Sequence, residues 1–297
     1  MSVTHIPVLL SPTLELLDPK SGEVVIDVTL GLGGHAEKFL EKIGAKGKLI
    51  GVDADEENLS ATRDQRPAIS EKIEFINANF RDINDLDLPQ CNILFADLGL
   101  SSPHIDDPER GFSFRGDSSL DCRFDKSKGI SAATLLNNSS ENDLIRIFKE
   151  YAEVEKIYAL SREISEAKKI ETTSDLREIV EKVYKWKANK VLPQIFQALR
   201  IEVNDEIGAL DELLEQGPHF LRPGGRMGII SYHSLEDRKV KQRFKNLTTS
   251  QKDAITGAPI CPPSYELLTK KAVQANLQEI ESNPRARSAR LRIIKKT

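Results

Sequence analysis

The chain has 297 residues, of which 39% are hydrophobic and 30% charged, a composition that excludes a disordered polar chain. No apolar run approaches the roughly 18 residues that span a bilayer, and Met1 to Pro12 puts no basic flank before Ile6 to Leu10, so neither a membrane protein nor a secretory leader is expected. Cys91, Cys122 and Cys261 are far apart and lack Cys-x-x-Cys spacing, which argues for a cytoplasmic protein with no disulfide framework and no zinc site.

In chain order, Glu23 to Val28 is a β-branched run ending in a glycine-rich turn and reads as a buried parallel strand. A helix is predicted over Ala36 to Ile43, a second strand over Lys48 to Asp53, and a second helix over Glu56 to Arg66. Ile73 to Ile76 and Asn92 to Ala96 supply two more strands. Strands alternating with helices at this spacing predict a doubly wound parallel sheet through about residue 104. Between residues 105 and 211 the rhythm becomes helical. One stripe carries Leu144, Phe148 and Tyr151, and another Leu176, Val180 and Val183. The longest steps through Phe196, Leu199, Val203, Ile207, Leu210 and Leu214. All three read as core faces. The α/β pattern returns at Arg222-Pro223-Gly224-Gly225-Arg226, a tight turn feeding the strand Met227 to Ser231. Near the end Ala289, Leu291 and Ile293 alternate with Ser288, Arg290 and Arg292, predicting a strand with one basic face and one core face. The expected domains are therefore 1–104 with 212–297, interrupted by an all-helical insertion over 105–211.

Net charge is −4, but its distribution is uneven. Residues 1–100 hold 9 basic and 17 acidic groups, residues 101–221 hold 17 and 23, and residues 222–297 hold 16 and 6. A basic C-terminal quarter on an acidic body fits a phosphate-rich partner.

Chemistry concentrates at three turns. The first strand runs into Thr29-Leu30-Gly31-Leu32-Gly33-Gly34-His35-Ala36, where glycines let a ligand approach the backbone at a helix start. The next strand ends at Asp53, 22 residues beyond Gly31, where a carboxylate can accept from both hydroxyls of a ribose. Gly31-x-Gly33-x-x-Ala36 also meets the loose dinucleotide pattern, so an NAD(P)-dependent oxidoreductase stays open. Asp27, just before the turn, would oppose a pyrophosphate and suits a cationic ligand such as S-adenosylmethionine. After the fourth strand comes Asp97-Leu98-Gly99-Leu100-Ser101-Ser102-Pro103-His104, small residues following a strand-end carboxylate, as expected along a cleft. Arg110, Arg115 and Arg123 interleave with Phe112, Phe114 and Phe124, offering phosphate contacts beside stacking surfaces for an unpaired base. Arg290 and Arg292 add two further candidates for RNA phosphates. His233 and Ser234 are adjacent and make no Ser–His catalytic pair.

These strings resemble one family along almost the whole chain: the bacterial 16S ribosomal RNA cytosine-N4 methyltransferases, the RsmH or MraW family. The matching stretches are His5-Ile6-Pro7-Val8-Leu9-Leu10; Asp27 to His35; Gly51-Val52-Asp53; Asp97 to Pro103 with Arg110 to Phe114; and Leu120 to Asp125. Phe196 to Ile201 with Val203 to Glu206, His233 to Arg238 with Val240-Lys241, and Asn283 to Ala289 complete the set. The resemblance implies a class I S-adenosylmethionine-dependent methyltransferase, a Rossmann-like doubly wound α/β sheet with an inserted helical substrate-recognition domain. It implies N4-methylation of a specific cytosine in the decoding region of 16S rRNA, with S-adenosylmethionine as cofactor. Partners would be that rRNA and the small ribosomal subunit, with no membrane and with a homodimer left open. By analogy Gly33, Gly34 and His35 form the cofactor turn, Asp53 holds the ribose, Phe80 and Asp97 flank the adenine, and His104 closes the site. No catalytic group is named, because the Asp/Asn-Pro-Pro-aromatic signature of many amino-methyltransferases is absent after strand four. A non-catalytic ribosome-binding factor is the remaining alternative. The chain departs from the family at His104, where glutamine is usual, and at Cys122 and Phe124, where methionines are usual. Val191 to Ile195 also stands in place of the frequent Pro-Ala-Thr-Arg string.

Overall fold

A computed structural model describes residues 7–250, 253, 256 and 260–297; His5 and Ile6 of the first matching string lie outside them. Helix α1 (Leu10–Leu17) precedes β1 (Val24–Asp27), α2 (Gly34–Ile43), β2 (Lys48–Asp53), α3 (Glu56–Gln65), the single turn α4 (Pro67–Ser70), β3 (Ile73–Asn77) and β4 (Cys91–Asp97). A helical stretch follows: α5 (Ser102–Asp106), α6 (Ala132–Asn138), α7 (Glu141–Tyr151), α8 (Ile157–Glu166), α9 (Thr173–Tyr184) and α10 (Ala188–Asn204). Then come α11 (Glu206–Gln216), β5 (Leu221–Ser231), α12 (Ser234–Leu247), β6 (Tyr265–Leu267), α13 (Leu277–Ser282) and β7 (Arg290–Lys296).

Among the described residues seven strands form one sheet in the order β3-β2-β1-β4-β5-β7-β6. Neighbours pair in parallel from β3 to β5, and β7 runs antiparallel to both β5 and β6. That order, with the one reversed strand beside β5, is the class I methyltransferase fold. The strands read as continuous apolar runs because both faces are covered. Successive residues alternate between two cores: Ile26, Ile50, Leu94 and Ile229 on one side, Val25, Leu49, Ile93 and Ile230 on the other. By the same token the parallel strands β1, β2 and β4 finish on a common edge, with Asp27, Asp53 and Asp97 as their last residues.

The chain divides into two compact units, Met1–Gly99 with Gly208–Thr297, and Leu100–Ile207. The second has its own core, in which Leu144, Phe148, Leu176, Val180, Leu192 and Leu199 are buried. The stripe expected to run unbroken from Phe196 to Leu214 is in fact two helices. Asp205 adopts a left-handed backbone (φ 46°) that ends α10, and α11 restarts at Glu206. Apolar spacing carried across the break because a one-residue interruption barely disturbs a three-or-four step.

Two further expectations are corrected. Arg222 to Arg226 is a bulge inside β5, which already begins at Leu221 and slips register opposite Cys91 and Ile93. The terminal strand also lacks an open basic face. β7 lies inside the sheet, and Arg292 is only 8% exposed. Its Nε and Nη2 donate to Oδ1 and Oδ2 of Asp237 at 2.7 and 3.1 Å, and Arg290 Nη1 donates to Oδ2 at 3.0 Å. Burial pushes the Asp237 carboxyl upward, but these two arginines outweigh it and hold it below the usual range. Much of the basic excess is matched in this way. Arg226 makes a forked pair with Glu23, Arg243 pairs with Glu215, and Lys239 with Asp211.

Candidate active site

Local sequence builds the edge of the sheet. After β1, Gly31 (φ 52°) and Gly33 (φ 72°) both take left-handed backbone, so the chain can reverse into α2 within a few residues. Gly34 has no room for a side chain, since a Cβ there would sit 2.7 Å from Pro7. Asp53 ties this turn to β2: its Oδ2 accepts from Gly31 N at 2.7 Å, and its Oδ1 from Asp55 N at 2.9 Å and Asn58 Nδ2 at 3.3 Å. The Gly33 amide donates to Leu30 O at 2.8 Å. Two turn amides that could cradle a pyrophosphate are therefore already engaged.

The neighbouring groups are acidic, Asp27 fully buried and Asp97 partly so. Asp27 is 1% exposed, and burial, reinforced by the charges of Asp97 and Asp53, raises its carboxyl to about 7 despite the hydrogen bond from Thr29 N. Asp97 is likewise raised to about 7, chiefly by burial, against a hydrogen bond from Tyr232. Thr29 joins the two strands, its Oγ1 accepting from Asp97 N at 2.6 Å.

Two residues face the Asp97 side chain. The Tyr232 hydroxyl donates to Oδ1 at 2.7 Å. Burial and the adjacent carboxylate push that phenol well above its ordinary range, so it stays a donor. On the other oxygen, His35 Nδ1 lies 3.6 Å from Oδ2. His35 Nε2 donates to the Val8 carbonyl at 3.1 Å, which orients the ring. The imidazole thus abuts the second oxygen of Asp97 while its other ring nitrogen is tied to the backbone. Phe95, with ring centroid 4.8 Å from that of His35, packs against the imidazole.

Tyr232 is the functional candidate that sequence reasoning missed. Its only signal is position, one residue beyond the end of β5. Glu236 orients it by accepting from Tyr232 N at 2.8 Å. His233 and Glu236 together cap α12, which accounts for the His233-Ser234 string without any nucleophile. Phe80 opens a 3₁₀ turn after β3, half-buried beside the Asn79 cap.

The remaining sequence candidates belong to the helical unit. His104 is 3% exposed, packed between Phe112 and Phe124 at 5.0 and 5.1 Å, and its Nδ1 accepts from Ser101 N at 3.2 Å. Arg110 corrects the expectation of a phosphate contact. It is 1% exposed, and its Nη2 donates to the carbonyls of Arg123 and Phe124, both at 3.0 Å. Asn204 closes the same loop, accepting from Phe124 N at 2.8 Å and donating to Cys122 O at 2.7 Å. Arg123 is 22% exposed and forked onto Asp121, whereas Arg115 is exposed. Of the five arginines assigned to RNA, Arg115 is the one the structure leaves most open.

The profile of the MraW methylase family matches residues 2–297. The chain belongs to the MraW methylase family. A curated relative in Synechocystis sp., ribosomal RNA small subunit methyltransferase H, is 40% identical over 301 residues, covering 98% of this chain and 93% of its own. An rRNA methylase of Streptococcus thermophilus is similar at 13% identity with a TM-score of 0.43, over 99% of both chains. A SAM-dependent methyltransferase of Aquifex aeolicus is similar at 10% identity with a TM-score of 0.43, over 98% of this chain and 90% of its own. MraW membership removes both the oxidoreductase and the non-catalytic alternative: this MraW-family chain is an rRNA methyltransferase. Among the described residues no helix is long and apolar enough to cross a membrane.

Proposed function

We propose that this chain transfers a methyl group from S-adenosylmethionine to the exocyclic N4 amine of one cytosine in the decoding region of 16S rRNA within the small ribosomal subunit. The observation that carries the reading is the carboxyl edge itself, where Asp27, Asp53 and Asp97 converge and Asp97 is held between Tyr232 and His35. An acceptor-only cluster suits hydroxyl donors and positive charge, and so fits a ribose, an ammonium and a sulfonium better than a pyrophosphate. When bound, S-adenosylmethionine supplies an electrophilic methyl group. Gly33, Gly34, His35, Asp53, Phe80 and Asp97 would hold it.

The amine of cytosine is a weak nucleophile because its lone pair is delocalised into the ring. It must be oriented, and its N–H must find an acceptor as the lone pair is recruited. Asp97 Oδ2 is that acceptor. A carboxylate near 7 is poised for proton transfer at neutral pH. Tyr232 fixes Oδ1, so Oδ2 receives the proton, with His35 Nδ1 behind it. Unstacking the base from folded RNA costs a few kcal/mol, which contacts outside the reacting centre must supply. Labelled methyl transfer to small subunits lacking the modification, with the product nucleotide mapped, tests the reading. Label on any other atom or base refutes it.

A further inference from the structure

The helical unit carries one surface that the sheet-edge chemistry leaves unused. Trp186, the sole tryptophan of the chain, is 86% exposed on a 3₁₀ turn, Lys185–Lys187, between α9 and α10. Such exposure leaves the indole face open for stacking. The turn is built to present it. Lys185 holds φ 52° and ψ −124°, a conformation that L-residues adopt only at a cost and that tends to mark functional loops. Rigid neighbours support the strained residue. The Tyr184 hydroxyl donates to the Glu155 carbonyl, Lys156 Nζ donates to Val183 O at 3.3 Å, and Lys187 Nζ lies 3.6 Å from Glu155.

Charge identifies the occupant. From Lys182 to Arg200 the sequence has five basic residues and no acidic one, in a segment (101–221) that is otherwise acidic. Lys185 and Lys190 are exposed and make no ion pair among the described residues. Lys187 reaches across the indole, its Nζ 5.5 Å from the ring centroid. An exposed indole flanked by ammonium groups is the arrangement that stacks an unpaired base while its phosphates are neutralised.

We propose that Trp186, with Lys185, Lys187 and Lys190, is a docking surface for single-stranded RNA, on which the indole stacks one base and the lysines meet the flanking phosphates. The proposal rests on the reading of the chain as an rRNA methyltransferase and adds a second anchor for that substrate.

The sole tryptophan is its own probe. Titrating the full-length protein with a single-stranded oligocytidylate of about ten nucleotides should quench Trp186 fluorescence. Trp186→Ala should weaken RNA binding roughly ten- to a hundred-fold, as loss of one stacked base implies, and Trp186→Phe should recover most of it. Lys185→Gln with Lys190→Gln should lower the slope of log affinity against log salt by about 1.4, at roughly 0.7 per phosphate contact on a single strand. In methyl transfer to small subunits, Trp186→Ala should raise KM for the subunit while kcat and affinity for S-adenosylmethionine hold. Unquenched fluorescence, or a KM and salt slope equal to wild type, overturns the proposal. So does concentration-dependent self-association that Trp186→Ala abolishes, which would make the surface an interface between copies. A wild-type protein quenched by RNA yet unable to methylate small subunits would refute the methylation reading and leave the docking surface standing.

Discussion

The carboxyl edge of the sheet and the loop around Arg110 both bury charge, and they treat it in opposite ways. At the edge, Asp27 is withdrawn from water and Asp97 partly so, no lysine or arginine hydrogen-bonds to either among the described residues, and their carboxyls rise to about 7. In the loop, Arg110 is as deeply buried as Asp27 but donates to two carbonyls, and in the same unit Arg200 and Glu206 form a two-pronged pair at 2.6 and 2.9 Å. Buried charge left under-compensated is held ready for a ligand or a proton. Buried charge that is neutralised holds the backbone.

The largest test of that contrast is Asp97→Asn. It should lower kcat by about 10²–10⁴-fold, the usual worth of a positioned proton acceptor, while the apo protein melts higher at pH 8 because a buried carboxylate is gone. A variant that loses S-adenosylmethionine affinity in proportion to rate would place Asp97 on the cofactor alone. Arg110→Met should act on stability instead. Each carbonyl left unpaired costs roughly 1–3 kcal/mol, measurable as a lower midpoint in urea. If the variant keeps its midpoint and loses RNA affinity, the contrast fails at its structural end.

Acid–base behaviour offers a finer test. Folding raises the carboxyls of Asp27 and Asp97 from 3.8 to about 7, so the native state binds protons more tightly than the unfolded chain. Their contribution is fully present below pH 3.8 and is lost as pH rises towards 7. Thermal scans of the apo protein should show that decline, and Asp27→Asn should flatten it. Tyr232→Phe should cost about tenfold in kcat. Its lost hydrogen bond favoured the charged carboxylate, so the acid limb of the pH–rate profile should move to higher pH. An unmoved limb would detach Tyr232 from Asp97. The smallest change is expected at His104. His104→Gln keeps an acceptor for Ser101 N and should leave both melting and cofactor affinity close to wild type, whereas His104→Ala removes the cap and should cost about 0.5–2 kcal/mol.

Legibility from sequence followed the range of the interaction. Strands β1 to β4 and the turn at Gly31–Gly33 were readable because period, β-branching and glycine are local signals, and the acid at position 53 stands at a fixed spacing from them. Tyr232 was not readable, because its meeting with Asp97 joins positions 135 apart in the chain. Arg292 misled for a related reason. Alternation shows which residues share a face, but only tertiary pairing reveals that the basic face closes over Asp237. Trp186 was passed over because exposure has no periodicity.

The order β1-β4-β5 sets a kinetic problem as well as a site. Residues 98–220 lie between two strands that must pair side by side. Loop closure over such a span is entropically costly, although the penalty grows only logarithmically with length. A helical unit rich in local contacts can condense before that pairing and shorten the chain that must be closed. On a ribosome synthesising this protein, β4 would emerge, wait while the helices fold, and receive β5 only afterwards. β7 then inserts last, beside β5, so the catalytic edge would be complete before the final strand has left the exit tunnel.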